Sequence, residues 1–145
     1  MLHSRLGRLA FAALTVSAIT LGAGAAQAAM IDLHANLHPA AGVKSAGTGM
    51  MSGTYDPATH KLTWTVTYSG LSSPETMAHF HGPAKIGGNA GVQVPIAAVH
   101  ASPMSGSATI TATQAKQLLG GLWYVNIHTK NYMGGEIRGH VMQGK

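Results

Sequence analysis

Apolar and polar residues alternate along most of the chain with a period of two, the signature of half-buried strands. In Ile31-Asp-Leu-His-Ala-Asn-Leu-His38, Ile31, Leu33, Ala35 and Leu37 fall on one face; Asp32, His34, Asn36 and His38 fall on the other. His60-Lys-Leu-Thr-Trp-Thr-Val-Thr-Tyr68 repeats the pattern with Leu62, Trp64, Val66 and Tyr68 inward. Residues 47–55, 76–81, 92–99, 105–111, 122–128 and 135–142 read as further strands. Turn residues separate them at Asp56-Pro57, Ser69-Gly70, Gly82-Pro83, Gly87-Gly88-Asn89, Ser102-Pro103 and Gly134-Gly135. Only 113–120 reads as a helical turn, with Thr113 as the expected N-cap and Gly120 as the left-handed stop. About seven or eight short strands at this spacing predict one all-β domain, an antiparallel Greek-key sandwich or flattened barrel.

The N-terminus breaks the pattern. Arg5 and Arg8 precede an apolar run over 9–21, which is followed by Ala26-Gln-Ala28. A basic segment, an apolar segment shorter than the ~20 residues of a bilayer span and a small-residue exit predict a secretory signal peptide. Cleavage is expected after Ala28, leaving residues 29–145 as a single periplasmic or secreted domain without a membrane span. Of the nine Lys and Arg, the seven beyond Arg8 are spread singly, so no basic stripe for nucleic acid is expected. Cysteine is absent, which removes disulfides, thiolate metal sites and a cysteine nucleophile. The four carboxylates, Asp32, Asp56, Glu75 and Glu136, are scattered, and no serine sits in a nucleophile elbow. Catalysis without a metal therefore has no visible apparatus.

The unusual polar residue is histidine, nine of them in a chain only 9% charged. In Met77-Ala-His-Phe-His-Gly-Pro83, His79 and His81 share one side of a strand, where two neutral imidazoles can chelate one ion. A His-x-His pair is also common on ordinary sheet surfaces. In 122–128, Trp123, Val125 and Ile127 alternate inward, so Tyr124, Asn126 and His128 face the other way. A hairpin centred on Tyr132 would pair Glu136 with His128, Arg138 with Asn126 and His140 with Tyr124, unless Gly134-Gly135 hosts a bulge. Glu136 could then orient His128, or pair with Arg138 as a surface ion pair worth under ~1 kcal/mol. His34, His38, His60 and His140 read as bystanders, and His100 is the candidate fourth ligand.

Ala78-His-Phe-His-Gly-Pro-Ala84, Tyr124-Val-Asn-Ile-His-Thr129 and Gly134-Gly-Glu-Ile-Arg-Gly139 together resemble the CHRD domain, named after chordin and also found as small secreted bacterial proteins. The resemblance covers roughly the whole segment after residue 28 and implies an immunoglobulin-like β-barrel outside the cytoplasm. Ser69-Gly-Leu71 followed by His79-Phe-His81, with Val125-Asn-Ile-His128, is more weakly similar to copper/zinc superoxide dismutase. The stretch 82–100 has no Asp and only His100, so that enzyme's bridging histidine and zinc cluster have no counterpart.

Three imidazoles without a thiolate suit copper first and zinc second, since copper heads the affinity order for such ligands. Met77 lies on the face of His79 and His81, and Met133 follows His128; either is a candidate soft ligand or a packing residue. Met50, Met51 and Met104 read as core filler. The leading expectation is an exported protein that binds copper through His79, His81 and His128 for carriage, buffering or protection. The alternatives are an extracytoplasmic protein-interaction module in which the histidine motifs are structural, with another exported protein as partner, and a minimal dismutase-like redox enzyme.

Overall fold

A computed structural model of the protein describes residues 28–97 and 100–144. The expected signal segment therefore lies, but for Ala28, outside the described residues. The elements run β1 (Ile31–Pro39), β2 (Thr48–Asp56), β3 (Lys61–Ser69), β4 (Glu75–His81), β5 (Val92–Ile96), β6 (Met104–Thr109), α1 (Ala112–Leu119), β7 (Tyr124–Thr129), β8 (Ile137–His140) and β9 (Met142–Gln143). The neighbour order is β5-β4-β7-β8-β1-β2-β3-β6, with β9 added on β1 and every pairing antiparallel. The end strands β5 and β6 approach each other, so the sheet nearly closes into a barrel. The fold is all-β, as the alternation predicts.

Strand β1 belongs to both halves of the sandwich. Ile31–Leu37 pairs with β2, whereas His38 and Pro39 pair with Arg138 and Ile137 of β8. Its inward set Leu33, Ala35 and Leu37 is buried, as are Leu62, Trp64 and Val66 of β3. From the other half come Phe80, Trp123, Val125 and Ile127, all fully buried. Phe80 meets Trp64 edge-on at 5.1 Å between ring centroids, a favoured aromatic geometry. Each such side chain contributes roughly 1.5–3 kcal/mol by leaving water. Phe80 thereby fixes the pleat of β4 and turns His79 and His81 to its opposite face. Met51 and Met104 fill the core as expected, but Met50 points to solvent.

Three local expectations are corrected. The helix is capped by Thr111, not Thr113: the Thr111 hydroxyl accepts from the Gln114 amide while the Gln114 side chain accepts from the Thr111 amide. Such a box needs Glu or Gln three residues on, and Thr113 has Lys116 there. The left-handed residue is Gly121 (φ +70°) rather than Gly120 (φ −77°). The expected strand 135–142 is divided, because Val141 turns inward with its amide on the Trp123 carbonyl, and β9 then continues along β1. Thr111→Ala is expected to cost about 1 kcal/mol by removing the cap, measured as a lower urea midpoint with an unchanged slope.

Candidate metal centre

Strands β4 and β7 are adjacent, with His79 opposite Asn126 and Met77 opposite His128. This register, added to the spacing within β4, brings together three imidazoles from two strands. One ring nitrogen from each of His79, His81 and His128 lies within 4.8 Å of the other two, and the His79 Nδ1 to His128 Nε2 distance is 3.3 Å. His81 and His128 are 8% and 7% exposed, while His79 is half-buried.

Two backbone carbonyls set the ring tautomers. His81 Nδ1 lies 2.9 Å from the Ala90 carbonyl, and His128 Nδ1 lies 2.8 Å from the Met133 carbonyl. A carbonyl only accepts, so in both rings Nδ1 carries the hydrogen and Nε2 keeps a lone pair. For His128 that lone pair accepts from His79 Nδ1; for His81 the Nε2 is buried and has no partner. Burial and the neighbouring His128 and His81 rings hold His79 below the ordinary imidazole value. For His81, burial together with His128 and Arg138 outweighs the opposing bond to Ala90. Depressed values favour the neutral rings a cation requires. A cation among the three would replace the His79–His128 hydrogen bond, with His79 adopting its other tautomer.

The surroundings differ from the expected support. Glu136 does not touch His128 or pair with Arg138. Gly135, at φ +117°, turns the chain so that the Glu136 carboxylate is fully buried among Ser45, Ser72 and Thr129. Arg138 instead donates to Asn89 Oδ1 and the Gly88 carbonyl and lies 3.8 Å from the Tyr124 ring centroid. Tyr124 stacks on His81 at 5.1 Å and 10°, so Arg138 and Tyr124 hold loop 87–90 and the His81 ring in place. Asn126 donates to the Gly134 carbonyl and steadies the loop that brings Met133 to His128. His100 is apart from the triad, with its Nδ1 2.7 Å from the Glu75 carbonyl. His140 is not a free surface residue, since its Nε2 is 3.1 Å from the Ala84 carbonyl. Met77, opposite His128, and Met133, whose backbone carbonyl meets His128, both have exposed side chains.

A family model of the CHRD domain matches residues 20–141. The chain belongs to the CHRD family. In this CHRD domain the two family-like motifs, 78–84 and 124–129, are the segments that deliver the three histidines. No curated protein and no solved structure matches the chain. No helix among the described residues is long and apolar enough to cross a membrane.

Proposed function

We propose that this CHRD domain is an exported copper-binding module that holds Cu(II) through His79, His81 and His128 for carriage, buffering or protection. The observation that carries the reading is the unpartnered, buried His81 Nε2, on a ring packed beside two other imidazoles and held by an Nδ1 bonded to a carbonyl. A buried nitrogen without a partner costs ~1–3 kcal/mol, and a cation relieves that cost. Metal-ligating histidines characteristically donate their second ring nitrogen in this way, which fixes both tautomer and direction. A nitrogen-only donor set favours copper over other divalent ions, with zinc next. Location outside the cytoplasm rests on the basic, apolar and small-residue order of the N-terminus.

The test is Cu(II) EPR of the purified protein beside a His79→Ala/His81→Ala variant. The wild type should take up one equivalent with nitrogen superhyperfine structure, and the variant should lose both signatures. Equal uptake with identical spectra would overturn the proposal.

A further inference from the structure

The two exposed methionines beside the triad have a placement that packing does not explain. Met77 is 46% exposed and Met133 79% exposed, so neither fills the core. Both line one open groove with Thr76 and Lys130. Both are also tied to the same histidine: Met77 is the cross-strand neighbour of His128, and the Met133 carbonyl accepts from His128 Nδ1. Directly opposed residues share a sheet face, and so do residues two apart on a strand. Met77 therefore stands on the face that carries both His128 and His79.

The geometry points to a second, soft subsite in which the Met77 and Met133 thioethers, beside the His128 edge of the triad, take a monovalent ion, Cu(I) or Ag(I). Thioether sulfur is soft and uncharged, and it selects Cu(I) where imidazole alone serves Cu(II) and Zn(II). Lys130 on the groove wall sharpens the choice, because its repulsion of a bound cation scales with the cation's charge. No thiol anywhere in the chain competes for such an ion. The subsite builds on the copper reading of the triad and extends it, giving the domain donors for both oxidation states in adjoining positions.

Ag(I), which does not change oxidation state, is the probe. The protein carrying [13C-methyl]methionine is titrated with silver and its methyl signals are followed by NMR, with assignment by single Met→Leu variants. The Met77 and Met133 methyls should shift in step up to one equivalent. Met50 and Met142, on the opposite half of the sandwich, should stay in place and serve as internal controls. Met77→Leu/Met133→Leu should weaken silver binding at least about tenfold, since even partners outside a ligand set cost that much. Its Cu(II) EPR spectrum should match the wild type. Unmoved Met77 and Met133 methyls, or wild-type silver affinity in the double variant, would overturn the subsite. Failure of the triad reading shows separately, as a Cu(II) spectrum without nitrogen couplings while the methyl shifts persist.

Discussion

Glu136→Ala is expected to destabilise the domain by about 3–5 kcal/mol, because several hydrogen bonds to one charged group, worth about 1.5–3 kcal/mol each and not additive, are lost together. The carboxylate is fully buried and accepts from the Ser45 hydroxyl, the Ser72 amide at 2.8 Å, the Ser72 hydroxyl at 2.8 Å and the Thr129 hydroxyl at 2.7 Å. Those donors come from the β1–β2 connection, the β3–β4 connection and the end of β7, so one side chain joins three parts of the barrel. Deleting it strands the donors, and each buried group left unpaired costs ~1–3 kcal/mol. Against the 5–15 kcal/mol typical of a whole domain, that is a large fraction. Glu136→Gln keeps the volume but points an amide donor at converging donors, so it should cost about 2 kcal/mol.

The same network gives a pH signature. Burial alone would raise the Glu136 value; the bonds from Ser45, Thr129 and Ser72 outweigh it and hold the carboxyl below the usual carboxylate range. The folded state thus favours the anion more than the unfolded state does. Its contribution is fully present above the ordinary value of 4.5 and is lost as pH falls through the lower folded value. Urea melts between pH 7 and 3 should show a shallower acid loss in Glu136→Gln than in the wild type. Parallel losses would remove Glu136 as the cause.

Glu136 and the triad differ in how far the sequence alone determines their places. Alternation placed Phe80 inward and His79 and His81 outward, because a strand's pleat depends only on parity. The β7–β8 register was equally legible: Asn126 does face Arg138, and Tyr124 does face His140. Parity fails where the backbone leaves the sheet. Gly135 turns the chain one residue before Glu136, so an acid expected beside His128 ends among hydroxyls. The acceptors for His81 and His128 are backbone carbonyls of Ala90 and Met133, and side-chain patterns carry no trace of them. The capping box at Thr111 was readable from Gln114, and the helix begins where that pair dictates.

Copper is expected to raise the stability of the wild type by about 4 kcal/mol when free ion stands a thousandfold above its dissociation constant. For a domain of this size that corresponds to a rise in Tm on the order of 10–20 °C. The metal-free triad prepares this response. One nitrogen from each of its three imidazoles lies within 4.8 Å of the others, and the His81 Nε2 is desolvated without a partner, so the site contributes little to the fold until a cation arrives. In His79→Ala/His81→Ala the metal-free loss should therefore be small, about 1–2 kcal/mol. The lost stacking of His81 on Tyr124 is offset in part by removal of the unpartnered nitrogen. The copper-induced rise should vanish in the same variant. A purely structural role for the histidines requires the reverse: a metal-free variant that melts far below the wild type, and a wild type whose Tm copper leaves unchanged. Thermal melts of both proteins with and without Cu(II) separate the two outcomes, because the copper reading places the stabilisation in the holo protein and the structural reading places it in the apo protein.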